Sequence, residues 1–215
     1  MTPSASSPSS PFSLSSPSSP VLLSQRLKVQ TEPQHLRMHS LMEQGHPFAN
    51  RMNFAGFVAA QYLFQRDVEQ LFADPEVRTA VRDLDSRGRQ AASLADLADL
   101  HEAVPHEPLA SAGVTMPGAL GWLYVSEGST LGAAFLLKEA ERQLGLSATF
   151  GARNLAAHPE GRAATWRRFV ASLDDEALTP EMHDAVVEGA LAAFDRFGDL
   201  LQRYLAPSRS HKPSP

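Results

Sequence analysis

The chain has 215 residues, a formal net charge of -5 and no cysteine. That length suits one domain with a sizeable core, and the lack of cysteine excludes disulfides, thiolate metal sites and thiol catalysis while fitting a reducing compartment. The modest negative charge argues against a general nucleic-acid binder, and no apolar run approaches the roughly 18 residues of a membrane helix, nor does the start read as a secretory signal; a soluble cytoplasmic protein is expected.

Residues 1–23 begin with a stretch that is almost entirely serine and proline. Such a segment has too little apolar surface to offset its ordering entropy, and it reads as a disordered tail. A flexible tail is also expected at 207–215, leaving 24–206 as the domain. Within it the pattern is helical. A first helix is predicted from Ser24 to Gln44, ending at Gly45, with a break or kink near Pro33. Asn50 or Asn53 caps a second, which carries Phe54, Phe57, Val58, Tyr62, Leu63, Phe64, Val68 and Leu71. Pro75 opens a third through Val77, Val81 and Leu84, and Arg87 to Leu100 forms a fourth. A loop with Pro105, Pro108 and Gly113 follows.

The next segment, Met116 to Arg142, has helical periodicity in Leu120, Leu123, Tyr124, Leu131, Phe135 and Leu136. Yet it contains Gly118, Gly121, Gly128 and Gly132, and an interior glycine costs a helix roughly 1 kcal/mol against alanine. At about 100° per residue, Gly121, Gly128 and Gly132 share a narrow stripe. A close neighbouring helix or a flat ligand would each explain it. After a glycine-rich link, Arg162 to Leu173 forms a helix with Trp166, Phe169 and Val170 inward. Thr179 and Pro180 then start a last helix through Val186, Leu191, Phe194, Phe197, Leu201 and Tyr204. With no convincing alternation and no repeat, the fold class is all-α.

His35 and His39 are four residues apart, on one helical face if the helix is unbroken. Such spacing can supply two metal ligands, or one axial ligand to haem iron; a surface histidine, or one bonded to a carbonyl, is the more ordinary explanation. HLRMH lacks the glutamate of the HExxH zinc pattern, and no Walker loop, GxGxxG turn or GxSxG elbow is present.

Four blocks carry a resemblance: PFANRMNFAGFVAAQYLF from Pro47, WLYVSEGSTLGAAFLLKEA from Trp122, FGARNLAAHPEGRAATWRRFV from Phe150, and AFDRFGDLLQRYL from Ala193. In order and in spacing, they resemble the bacterial haem oxygenases over about residues 25–205. The resemblance implies a compact multi-helix domain holding haem between a proximal helix and a kinked distal helix. Haem is there both cofactor and substrate, opened with O2 and external electrons to biliverdin, carbon monoxide and ferrous iron. By this resemblance His35 is the proximal iron ligand, with His39 a neighbour. Gly128 and Gly132 are the distal glycines that let the porphyrin approach. Ser129 stands where animal members have an aspartate, so backbone carbonyls and water are expected to hold the distal network, with Arg89 joining it. Lys28 and Tyr124 match propionate contacts of members that cut at the α-meso carbon; a branch giving β and δ isomers has Asn and Phe there.

Gly121, without an assigned haem contact, is left to helix packing, and Gly121→Ala is expected to be milder than a large residue at Gly128 or Gly132. The electron donor is expected to be separate, such as a ferredoxin or a flavin reductase, and the protein a monomer with no nucleic-acid or membrane partner. Two rival readings remain: a haem carrier or sensor with the same pocket and no turnover, and a helical interaction module whose glycines only pack helices.

Overall fold

The structure is a computed structural model and describes residues 22–175 and 177–205. The tails expected at 1–23 and 207–215 lie outside these residues, save Leu22 and Leu23. Leu23 already opens the first helix and is buried. Eight α-helices follow one another: α1 (Leu23–Gln30), α2 (Glu32–Gly45), α3 (Arg51–Glu69), α4 (Pro75–Ala80), α5 (Gln90–Asp99), α6 (Gly118–Leu144), α7 (Arg162–Leu173) and α8 (Pro180–Tyr204). Among the described residues the only β features are isolated bridges around Ser147. The all-α expectation holds.

The long first helix is two. Thr31, at φ -104° and ψ 4°, separates α1 from α2. Pro33 has no N–H to return to the Val29 carbonyl and its ring crowds that turn. Lys28 and His35 therefore sit on separate helices. The α2 helix does end at Gly45, but the left-handed residue is His46 (φ 43°). Gly45 is small for packing: a Cβ there would stand 2.8 Å from Leu205 Cβ. Asn50 caps α3, accepting from the Asn53 N–H at 2.8 Å. The third predicted helix stops at Ala80, leaving Leu84 in a 3-10 turn. The fourth begins at Gln90 rather than Arg87.

The core gathers apolar faces of α3, α6 and α8 around Phe54, Phe57, Leu63, Leu120, Leu123, Val186 and Leu200. Helix α8 is the common floor: α6 makes its largest contact there, and α2 and α3 also pack on it, while α2 and α6 barely touch. Met38 is buried on α2, and Arg37 reaches Asp195 and Asp199 of α8 at 3.3 and 3.5 Å. The start of α1 is tied to the end of α7, where Asp174 accepts from the Ser24 N–H at 2.9 Å and the Ser24 hydroxyl at 2.6 Å. The α2 and α6 helices thus rise from one floor as two walls.

Candidate functional site

Helix α6 runs unbroken for 27 residues, and its glycine stripe divides in two. A Cβ on Gly121 would lie 2.1 Å from the Val186 carbonyl oxygen and 2.3 Å from the Ala190 nitrogen; one on Gly189 would lie 2.1 Å from the Gly118 oxygen. These glycines let α6 and α8 cross backbone to backbone. Helix packing accounts for Gly121, as expected; for stability, however, Gly121→Ala is not the milder change, because backbone cannot swing aside as a side chain can.

Gly128 and Gly132 behave otherwise. A Cβ at Gly128 would meet only the Trp166 ring, at 3.8 Å, and one at Gly132 would meet nothing within 4 Å. Two large apolar side chains share this open surface, Leu131 at 44% and Phe135 at 67% exposure. A bare helix face flanked by uncovered apolar groups is a cradle for a flat apolar ligand.

On α2, His35 is exposed, with the His39 ring edge-on at a centroid distance of 4.7 Å. Burial lowers the His35 pKa, His39 lowers it further, and Glu32 acts weakly in the opposite sense. The neutral imidazole, the form that ligates metals, is favoured.

One turn before Gly128, the Tyr124 ring lies 5.6 Å from that of Trp166, tilted by 51°. Its hydroxyl lies within hydrogen-bonding reach of Thr31, and burial raises its pKa. Thr31 follows Lys28 by three residues, so Tyr124 approaches the same junction as exposed Lys28.

Three side groups converge behind the open face. Arg89 donates to the Ser126 carbonyl at 2.8 Å and to its hydroxyl at 3.2 Å. The Ser129 hydroxyl donates to that same carbonyl at 2.7 Å, and Ser126 in turn reaches Gln65 Oε1 at 3.2 Å. Thr130 repeats the pattern on the Glu127 carbonyl at 2.7 Å. Such back-bonding to the preceding turn tends to bend a helix. Burial pulls the Arg89 pKa down, opposed by Glu127 and Glu69. Arg89 and Ser129 also line a pocket of about 90 Å³ with Phe57, Gln61 and Phe197. Gln61 Oε1 is buried there without a protein partner.

The sequence reading passed over Arg87 and Glu127. Both are about 4% exposed and form an ion pair, and Arg87 also binds Asp83 at 2.7 Å and lies 5.6 Å over the Phe169 ring. The available signal was a glutamate set in an apolar helix just before Gly128.

The similarity of the whole chain to known proteins is to the heme oxygenases. The Heme oxygenase family model matches residues 21–203. Heme oxygenase PigA of Pseudomonas aeruginosa is 49% identical over 187 residues, 86% of this chain and 94% of that protein. The structure of NO- and CO-bound heme oxygenase from Neisseria meningitidis superposes with a TM-score of 0.81 at 34% identity, covering 89% of this chain and 96% of that one. Heme oxygenase 2 from Chlamydomonas reinhardtii, solved without heme, has a TM-score of 0.74 at 17% identity, covering 87% and 100%, and speaks to the fold alone. The chain belongs to the heme oxygenase family and is an enzyme of haem degradation. No helix among the described residues is long and apolar enough to cross a membrane.

Proposed function

We propose that this protein seats haem between α2 and α6, with His35 on the iron, and cleaves it mainly at the α-meso carbon to biliverdin, carbon monoxide and ferrous iron. The observation that carries this reading is the open cradle at Gly132, where a Cβ would touch nothing within 4 Å, on a helix that shares the α8 floor with exposed His35 on α2. Bound haem supplies the iron that activates O2 and the porphyrin carbon that is oxidised. The protein does the rest. His35 offers an unprotonated nitrogen. Lys28, which has no ion pair among the described residues, supplies a cation for the propionates, and Tyr124 a hydroxyl at the same end.

Gly128 and Gly132 leave room for the ring and for a diatomic ligand beneath the helix. Arg89 fixes the Ser126 carbonyl, and through it the Ser129 hydroxyl, so that polar groups stand at a set depth behind the glycines. The unpartnered Gln61 oxygen supports ordered water in the adjoining pocket, which is roomy enough for a water of about 30 Å³. Electrons come from a separate donor such as a ferredoxin or a flavin reductase, and the protein works as a cytoplasmic monomer.

The test is aerobic turnover of the hemin complex with ascorbate or a ferredoxin–reductase couple, followed by chromatography of the verdin. Collapse of the Soret band with α-biliverdin dominant is expected. Dominant β and δ isomers would overturn the roles given to Lys28 and Tyr124. A Soret band that persists under oxygen and reductant would instead make the protein a haem carrier.

A further inference from the structure

One part of the proximal wall is not used by the chemistry above. His39 lies one turn beyond His35, both imidazoles are exposed, and neither has a hydrogen-bond partner among the described residues. Their ring centroids are 4.7 Å apart. Two imidazoles sharing one ion, with metal–nitrogen bonds of about 2.1 Å and an angle of about 90° to 110°, hold their ring centroids about 4.5 to 5.2 Å apart. The centroid spacing falls in that range, and turning the two exposed rings, now 75° apart and edge-on, so that a nitrogen of each meets one ion needs only side-chain rotation. Among the described residues no group of three or more histidines or carboxylates could hold a metal, so the remaining positions on an ion here would be water. A borderline cation tolerates imidazole and water together, whereas calcium and magnesium prefer all-oxygen shells.

We infer that His35 and His39 form a two-imidazole site for a first-row divalent cation, available whenever His35 is not held by haem, and that ferrous iron freed by ring opening is its natural occupant. The identity of the occupant rests on the haem reading above; the existence of the site does not. His35 and His39, one turn apart, would together hold an ion that the opened ring no longer encloses, until it passes to solvent. Ferrous ion ranks low among the divalent first-row metals in its affinity for such ligands, so its stay is brief. The transfer exchanges ligands and needs no oxidant or reductant.

The site is tested by titrating the haem-free full chain with Zn²⁺ in a calorimeter, beside His35→Ala and His39→Ala. Loss of an inner ligand costs at least what loss of a supporting group costs, so each variant is expected to bind at that site at least about tenfold more weakly. Undiminished binding in either variant overturns the site. Hemin added to the Zn²⁺-loaded protein is expected to release one zinc per haem; retention of the zinc counts against a shared His35. The occupant is tested in a single turnover with a ferrous chelator present: iron should reach the chelator after verdin forms in the parent protein and together with it in His39→Ala. Equal timing in both overturns ferrous iron as occupant. Haem ligation is read apart from both, since a Soret band kept by His35→Ala would overturn that assignment and leave the zinc result standing.

Discussion

The two ends of α6 use the same residue for opposite purposes. At Gly121 the side chain is missing because the backbone of α8 occupies its place, and at Gly189 because the backbone of Gly118 does. Around Gly128 and Gly132 it is missing and no protein atom takes the space, apart from the distant edge of Trp166. One end joins two helices; the other keeps a surface clear. A glycine stripe is therefore not one signal, and only the far side of each missing Cβ tells which meaning applies.

The comparison is broken or sharpened most severely at Gly121. Gly121→Ala drives a methyl into backbone atoms 2.1 to 2.3 Å away, forcing the helices apart at an expected cost above about 3 kcal/mol, where overpacking lies at its upper range. Urea unfolding of the haem-free protein checks this, and a cost below 1 kcal/mol would erase the distinction between the two ends. The seam between them is held by Glu127. Glu127→Ala strands a buried guanidinium, but Arg87 keeps Asp83, so the loss is expected at the lower end of the range for broken buried pairs, about 3 kcal/mol.

At the open end the expected readout changes from stability to chemistry. Gly132→Leu should leave the unfolding midpoint nearly untouched while cutting verdin formation by more than about tenfold, since a small misplacement of a reacting group costs up to a hundredfold. A variant that unfolds instead would show that the face is a packing surface after all.

Acid gives a weaker test of the opposite wall. His35 has its folded pKa held below 6.5, so the unfolded chain takes up protons first. Its contribution to stability is full above 6.5 and is lost as pH falls toward the lowered folded value. The parent protein should therefore lose stability relative to His35→Ala over that window, and a difference between the two that stays flat with pH would contradict the shift. The smallest effect is a gain: Gly132→Ala is expected to stabilise the haem-free protein by up to about 1 kcal/mol, the ordinary helix preference for alanine, measured by the same urea curves.

Periodicity made most of the helices legible, because amphipathic faces are local. Pro33 marked its break, and Asn50 its cap, for the same reason. The ends of α4 and α5 were less legible: Arg87 looks like a helical residue in sequence, and only its burial against Glu127 and Phe169, distant along the chain, draws it out of that role. The site was half visible. His35, Gly128 and Gly132 could be picked out as candidates, and the resemblance gave each an expected part. Helix packing at Gly121 was legible, but how tight it is was not, since that is set by the Val186 carbonyl and Gly189 on another helix. Glu127 was overlooked because a charged residue in a helix is usually solvent-facing.

The interruption at Thr31 has a mechanical side. Lys28 lies on one arm of the bent segment and His35 on the other, with no continuous ladder of backbone hydrogen bonds between them. A rigid molecule gripped by both residues would bridge the elbow like a splint, so that filling the cleft stiffens the wall that receives it.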